Sequence, residues 1–172
     1  IKTMSWVAIL RGSENDRPIM EAAWTVLTDL GVETEVRVTS AHRTPEATAS
    51  YVQDAQERDC GVFICGAGMA AHLAGAVAAQ TVRPVIGVPV NSGPLNGADA
   101  LLSTVQMPGG IPVATVAIGK AGAKNAGYLA AQMLGLADGP LFTRLQQDRK
   151  DNQSKIERQN KKLQATLKQA TS

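Results

Sequence analysis

The sequence predicts a three-layer, doubly wound α/β fold of the flavodoxin-like type, in which a parallel sheet of about five strands carries helices on both faces. Three observations predict it. Short apolar runs alternate with helical patterns, and the connections are long enough for helical crossovers. The central runs, such as 62–65, are continuously apolar, which is typical of parallel strands buried on both faces. The chain is 44% hydrophobic but only 3% aromatic, which indicates one domain with an aliphatic core.

The strands and helices follow one another in regular order. The predicted strands are residues 6–10, 32–38, 62–65, 85–90 and 113–118. The predicted helices between and after them are residues 17–30, 45–59, 70–81, 97–104 and 124–136. The first helix has Pro18 in its first turn and Asp16 or Asn15 as its N-cap, and Gly31 ends it. Residues 32–38 partly alternate between apolar and polar side chains, which predicts a less buried strand.

The charge distribution separates two segments. Residues 1–140 are predicted to form a single α/β nucleotide-binding domain, and residues 141–172 a long C-terminal helix with a basic polar tail at subunit contacts. From Arg144 onward, eight Lys and Arg residues outnumber three Asp and Glu residues. No aromatic residues are interleaved with these charges, so we expect a solvated helix or a subunit contact and no nucleic-acid interface.

The two cysteines, Cys60 and Cys65, flank an apolar run with the spacing of neither a disulfide framework nor a metal site. We therefore expect buried, reduced thiols and a cytoplasmic location. The sequence has no apolar run long enough to cross a membrane and no metal-ligand spacing among His, Cys and carboxylate residues. We expect no membrane association and no metal.

The candidate site contains the only two histidines of the chain, His42 and His72, each of which follows an alanine in a loop after a predicted strand. Histidine is suited to proton transfer near neutral pH. Ligands of parallel α/β sheets bind outside the carboxyl ends of the strands. The loops at that edge are rich in Gly, Ala, Ser or Asn and comprise residues 11–16, 40–45, 66–72, 91–94 and 119–122. The alternative is that both histidines are incidental polar loop residues.

The first of these loops is a candidate phosphate site. Gly12 permits a tight turn, and Ser13 and Asn15 offer donors at the N-terminus of the next helix, where an anion is favoured. Arg43 on the neighbouring loop has the fork geometry that pairs with phosphate. Asp16 is a candidate acceptor for sugar hydroxyl groups. The alternative is that the polar residues of this loop only cap a helix.

The loop 66–72 consists of small residues that predict a narrow, apolar pocket lined by backbone, suited to a flat ring or a small neutral molecule. The sequence has no Walker loop, because no Gly-Lys-Ser/Thr follows a glycine-rich turn. The Gly-Ala-Gly at 66–68 lacks the third glycine of a dinucleotide fingerprint. We therefore exclude nicotinamide and flavin dinucleotides.

Five motifs together resemble the PurE family of purine biosynthesis. They are Gly-Ser-Glu-Asn-Asp at 12–16, Ser-Ala-His-Arg-Thr-Pro at 40–45, Gly-Ala-Gly-Met-Ala-Ala-His-Leu-Ala-Gly at 66–75, Gln-Met-Pro-Gly-Gly-Ile-Pro-Val at 106–113 and Gly-Lys-Ala-Gly-Ala at 119–123. The complete histidine loop, and Arg rather than Lys at position 43, resemble the class I branch. That branch is a mutase that converts 5-(carboxyamino)imidazole ribonucleotide to 4-carboxy-5-aminoimidazole ribonucleotide.

The resemblance implies a mechanism in which the substrate releases carbon dioxide, the ring carbon recaptures it, and His42 is the general acid/base. It implies that Ser13, Asp16 and Arg43 hold the ribose phosphate. The substrate-binding residues it implies are Ser13, Asn15, Asp16, Ser40, Ala41, Arg43, Gly66, Ala67, Gly68, Met69, His72 and Leu73. It further implies no cofactor, and a homo-oligomer, an octamer, whose C-terminal helices reach onto neighbours.

Two other functions remain open: an aminoimidazole ribonucleotide carboxylase that uses free carbon dioxide, and a non-catalytic binder of a phosphoribosyl ligand. The chain departs from the usual PurE pattern at five positions. They are Arg11, Asn15, Met69, Ala74 and Gly109. Met69 lies in the loop that must approach the ligand, where a side chain would crowd the pocket or impose an unfavourable backbone angle.

Overall fold

The structure, a computed structural model, describes residues 5–170 and contains one five-stranded parallel sheet in the order β2-β1-β3-β4-β5. The strands are β1 (Trp6–Arg11), β2 (Thr34–Val38), β3 (Cys60–Gly68), β4 (Val85–Val90) and β5 (Ala114–Thr115). The helices are α1 (Arg17–Asp29), α2 (Pro45–Glu57), α3 (Leu73–Ala78), α4 (Ala98–Val105), α5 (Lys120–Gly135) and α6 (Gly139–Ala170), and a short 3₁₀ helix, Glu14–Asp16, precedes α1. The predicted fold class is confirmed.

The sheet is buried on both faces because successive residues of a strand point to opposite sides. On β1, Val7 and Ile9 join one core with α1 and α5, whereas Ala8 and Leu10 join a second core with α2 and α3. Both cores are mainly aliphatic, as the composition predicts. Cys60 and Cys65 are free thiols buried in β3.

Helices α1 and α5 pack closely because small residues lie at their contact. Ala23 on α1 faces Gly127 on α5, and a Cβ atom added to Gly127 would lie 2.9 Å from the Ala23 carbonyl oxygen. Ala126 and Ala130 on the same helix are fully buried. This contact anchors α5 over the centre of the sheet.

Several elements differ in their bounds from the sequence prediction, and helix α5 begins at Lys120 instead of residue 124. Strand β3 extends to Gly68, so the Gly-Ala-Gly at 66–68 belongs to a strand and not to a loop. Helix α3 begins only at Leu73. Strand β5 has two residues instead of the predicted 113–118, because Pro89 has no N–H with which to continue the ladder. The Pro89 carbonyl still accepts a hydrogen bond from the Gly119 N–H at 2.8 Å.

The N-terminal turns of helix α6 anchor it to the rest of the fold. Leu141 is buried, Arg144 Nε donates to the Leu30 carbonyl at 2.8 Å, and the Tyr128 hydroxyl donates to Asp148 at 2.9 Å. Residues 149–170 are exposed throughout. Among the described residues, no helix combines the length and apolar character needed to span a membrane. The division at residue 140 stays a prediction, and its outer ends, residues 1–4 and 171–172, lie outside the described residues.

Gly127→Ala is expected to lower the free energy of unfolding by about 1–3 kcal/mol, because the new methyl group meets the Ala23 backbone. The matched control is Gly139→Ala, whose added Cβ has nothing within 4 Å. Urea unfolding of both variants measures the difference. Equal stability of the two variants would show that the α1–α5 contact can widen without cost.

Candidate active site

A cavity of about 480 Å³ opens at the carboxyl edge of the sheet, between the segments that follow β1, β2, β3 and β4. Its described lining consists of Gly12, Ser13, Asn15, Asp16, Ser40, Ala41, His42, Arg43, Ala67, Gly68, Met69, Ala70, His72, Leu73 and Ser92. This chain therefore has a cavity at the edge of the sheet where parallel α/β proteins bind their ligands.

The two histidines meet at this cavity. His42 Nε2 lies 2.6 Å from His72 Nδ1, and the ring planes cross at 84°. At this distance one nitrogen carries a hydrogen and the other accepts it, so the pair shares a proton between two rings. Both side chains are exposed to the cavity mouth. A molecule that enters the cavity can therefore reach both rings.

The His42 loop (residues 40–44) is held by hydroxyl groups. Thr39 Oγ1 and Thr48 Oγ1 are 2.6 Å apart in a buried contact. The Ser40 N–H donates to Thr44 Oγ1 at 3.0 Å, and the Arg43 N–H donates to Ser40 Oγ at 3.1 Å. These bonds close a tight turn, so His42 projects from a fixed backbone.

The His72 loop (residues 69–72) is held from α4. The Ala71 N–H donates to Ser103 Oγ at 3.0 Å, and that hydroxyl also approaches the Met69 carbonyl at 3.4 Å. His72 occupies the N-cap position of α3 without a side-chain cap bond, so its ring is available to His42. Ser103 is a positioning residue that the sequence did not single out.

The β1–α1 turn (residues 12–16) forms the opposite wall of the cavity. Ser13 Oγ accepts from the Asn15 N–H at 3.2 Å, so Ser13 does cap the 3₁₀ helix. Asp16 occupies the N-cap position of α1 but makes no side-chain cap bond. Arg43 Nη2 donates to the Gly12 carbonyl at 2.9 Å and joins this turn to the His42 loop. Capping alone therefore does not explain Asp16.

Asp16 is a buried carboxyl, with 5% of its surface exposed. Burial raises the pKa of Asp16 above its ordinary value of 3.8. A backbone hydrogen bond from Ser13 and the positive charges of Arg11 and Arg43 offset only part of this effect. The cavity thus combines a desolvated acceptor, a guanidinium group and a histidine pair. Within residues 5–170, no three or more His, Cys, Asp or Glu side chains are grouped to hold a metal ion.

The sequence model of the AIR carboxylase family matches residues 6–155. The chain belongs to the AIR carboxylase family. The resemblance to PurE proteins is thereby confirmed. The chain is 52% identical over 150 residues to the N5-carboxyaminoimidazole ribonucleotide mutase of Bacillus subtilis, covering 87% of this chain and 93% of that protein. It is 56% identical over 139 residues to the mutase of the same name from Mycobacterium tuberculosis, covering 81% and 79%.

A solved member of the family has the same fold. The crystal structure of Treponema denticola PurE superposes with a TM-score of 0.84 at 31% sequence identity. The superposition covers 92% of this chain and 98% of that chain. The layered sheet is therefore shared over nearly the whole length of both proteins.

Of the predicted site residues, all of which lie in the described part of the chain, Gly66 alone does not line the cavity. A Cβ atom on Gly66 would collide with the Met20 side chain, so this glycine permits α1 to pack on β3. The 119–122 segment, also fully described, is likewise outside the cavity lining, because Gly119 packs against Asn91 and α5 begins at Lys120. The roles of Gly66 and of the segment 119–122 in substrate binding stay predictions.

Ser92 and Ala70 also line the cavity; they lie in the predicted edge loops 91–94 and 66–72 but were not among the named substrate-binding residues. Ser92 directly follows β4, so its position at the carboxyl edge was the available signal. A Cβ atom on Gly68 would collide with Ser92 Oγ. Because Gly68 has no side chain, the segment that follows β4 can pack against the end of β3.

Asp16→Asn is expected to stabilise the free protein near pH 7. Because the pKa of Asp16 is raised on folding, the folded state binds this proton more tightly than the unfolded chain. Protonated Asp16 therefore contributes to the free energy of unfolding of the wild type. This contribution is fully present below the ordinary pKa of 3.8 and is lost as the pH rises through the raised pKa of the folded state. Urea unfolding at pH 4 and pH 7 should show an advantage of the variant that grows with pH.

The control for this prediction is Glu21→Gln, which neutralises an exposed carboxyl on α1. We expect its stability difference from the wild type to change little between the two pH values, because an exposed carboxyl keeps its hydration on folding. A wild type that is more stable than Asp16→Asn at pH 7 would contradict the prediction.

Proposed function

We propose that this chain is a 5-(carboxyamino)imidazole ribonucleotide mutase that forms 4-carboxy-5-aminoimidazole ribonucleotide. Two lines of support converge. Relatives that are more than half identical over most of their length carry the name of that mutase. The cavity also joins an anion- and ribose-binding wall to a histidine pair, which are the two parts that this reaction needs.

The reaction is an internal transfer of a carboxyl group. The bond between the exocyclic nitrogen and the carbamate carbon breaks, and that nitrogen gains a proton. The ring carbon then attacks the released carbon dioxide, forms a carbon–carbon bond and loses its own proton. Atoms and electrons balance without an oxidant or a reductant, so the enzyme must supply one proton, recover one proton and retain carbon dioxide.

The observation that carries the proposal is the 2.6 Å contact between His42 Nε2 and His72 Nδ1 at the cavity. A group that must give a proton in one step and take one back in the next has to be both a donor and an acceptor, and it must lie within hydrogen-bond reach of the reacting atoms. We assign this role to His42. His72 fixes the tautomer and orientation of the His42 ring, since its nitrogen is the hydrogen-bond partner.

The β1–α1 turn is assigned to the ribose phosphate. Ser13, Asn15 and the Arg43 guanidinium lie on one wall of the cavity as donors for phosphate oxygens. Asp16 is assigned to the ribose hydroxyl groups, because a buried carboxylate without a cap bond accepts hydrogen bonds from them. Ala67, Gly68, Met69 and Leu73 are assigned to the ring and the carbon dioxide.

The test is to mix the purified protein with 5-(carboxyamino)imidazole ribonucleotide without bicarbonate and to follow the carbon-carboxylated product by absorbance. Rapid product formation supports the mutase. Turnover of aminoimidazole ribonucleotide only with added carbon dioxide would replace it with the carboxylase alternative. Ligand binding without turnover under both conditions would favour the non-catalytic binder.

His42→Asn is expected to lower kcat by about 10³-fold or more, because a general acid/base contributes roughly 10²–10⁴-fold. Substrate binding and thermal stability should stay near the wild-type values, since His42 is exposed and its loop is held by other side chains. His72→Asn should lower kcat by only about tenfold, because it removes orientation but leaves the acid/base. A near-normal rate for His42→Asn would exclude the assigned role.

We also propose a cytoplasmic homo-oligomer, an octamer, with no nucleic-acid partner and with the segment 141–172 at subunit contacts. Apolar side chains are exposed on α4 and just before it, including Leu95 at 60% and Leu102 at 61%. On α6, Ile156 and Leu163 are exposed one heptad apart, a spacing typical of a helix that packs on another protein surface. A second copy of the chain is the proposed partner.

Removal of the residues after Arg149 is expected to reduce the size of the assembly while leaving the cavity lining intact. The reason is that residues 149–170 are exposed and the cavity residues lie far earlier in the sequence. Analytical sedimentation of the full and shortened chains at equal concentration measures the change. An unchanged sedimentation coefficient, after correction for mass, would place the subunit contacts elsewhere.

A further inference from the structure

Arg11, the last residue of β1, holds the β1–α1 turn through Glu14. Its Nη1 donates to the Glu14 carbonyl at 3.2 Å, and its Nη2 pairs with Glu14 Oε2 at 2.7 Å. One guanidinium group therefore binds both the backbone and the side chain of the first residue of the 3₁₀ helix. Glu14 lies between Ser13 and the residues Asn15 and Asp16, all three of which line the cavity.

The backbone of Arg11 is fixed independently of its side chain. Arg11 pairs with Gly66 of β3 and Val38 of β2, and its carbonyl accepts from the Thr39 N–H at 2.9 Å. We call the two contacts of the Arg11 side chain with Glu14 the brace. They can hold the turn in place, because the Arg11 backbone is fixed in the sheet and does not move with the turn.

The Arg11 side chain does not fit a purely stabilising role. Its side chain is only 12% exposed. Within the described part of the chain, its Nε is a buried donor without a hydrogen-bond partner. A buried donor without a partner costs free energy, and an apolar side chain of similar length would avoid that cost.

We propose that Arg11 is a positioning residue of the active site, which holds the β1–α1 turn through Glu14 so that Ser13 and Asp16 meet the ribose phosphate. This inference rests on the proposed function. The positive charge of Arg11 also lies close enough to Asp16 to favour its ionised form against the effect of burial. The brace and the charge act on the same turn.

Arg17 provides a matched control. Its Nη1 lies 3.7 Å from Glu14 Oε1, so it is also paired with Glu14, but its side chain is 64% exposed. A longer, solvated contact of this kind contributes little to positioning. Arg17→Met therefore removes one positive charge beside the same turn without removing the brace.

The experiment compares Arg11→Met, Arg11→Lys and Arg17→Met with the wild type by kcat, KM and thermal unfolding. Arg11→Met should raise KM about tenfold, change kcat by no more than about twofold and leave the melting temperature unchanged or higher. Arg11→Lys should recover part of the loss, because an ammonium keeps the ion pair but not both bonds. Arg17→Met should match the wild type.

Glu14→Ala tests whether Arg11 acts on the turn through Glu14. Because Glu14 is exposed, this variant is expected to fold, and the test does not require that Arg11→Met folds. It should raise KM by about threefold, since the bond to the Glu14 carbonyl remains. The double variant Arg11→Met/Glu14→Ala should be no worse than Arg11→Met alone, because both changes break one connection. Additive effects would overturn the assignment.

A KM of Arg11→Met equal to the wild type, or an equal increase for Arg17→Met, would also overturn it. These outcomes are distinct from failure of the proposed function, which the wild-type assay reports by itself. If the wild type does not turn over the substrate, the affinity of the same variants for ribose 5-phosphate, measured by calorimetry, tests the role of Arg11 instead. Weaker binding for Arg11→Met alone supports the brace, and equal or absent binding overturns it.

Discussion

The pairing of β1 with both of its neighbours is the constraint on which the site depends. At the carboxyl end of β1, the Gly12 N–H donates to the Gly66 carbonyl of β3 at 3.1 Å, and the Arg11 carbonyl accepts from the Thr39 N–H after β2 at 2.9 Å. These two bonds bring three loops to one edge. The distance between the two histidines, which come from the loops after β2 and β3, follows from this arrangement, because β1 lies between those strands.

The charges at the site work against the stability of the free protein. Asp16 is buried, and its ionisation is opposed by the loss of water around it. Arg43 contributes a compensating charge, but in the free protein it already donates one hydrogen bond to the Gly12 carbonyl. A guanidinium group has five donors, so this bond fixes its position and leaves donors for a ligand. A phosphoribosyl ligand would therefore supply partners that the free cavity lacks.

Much of the architecture is predictable from the sequence because hydrophobic periodicity and crossover length reflect burial on a parallel sheet. The position of the cavity at the carboxyl edge is predictable from strand polarity together with the composition of the loops. The packing of Gly66 against Met20 could not be predicted, because a glycine that admits a side chain has the same sequence signature as one that admits a ligand. Ser103 was missed because its contact with Ala71 spans 32 residues and involves two different crossovers. Such contacts depend on packing and leave no local pattern.

The departure from the PurE pattern at Met69 places a side chain in the loop that directly follows β3. Met69 has a φ of 54°, a left-handed conformation that costs a non-glycine residue about 1 kcal/mol. Its side chain lies beside Gly93, where an added Cβ would be 3.4 Å from Met69 Cγ, an ordinary van der Waals contact. The Met69 side chain also lines the cavity wall. In the proposed reaction, a flexible, apolar side chain in that position would exclude water from the reacting groups and favour retention of carbon dioxide over its escape.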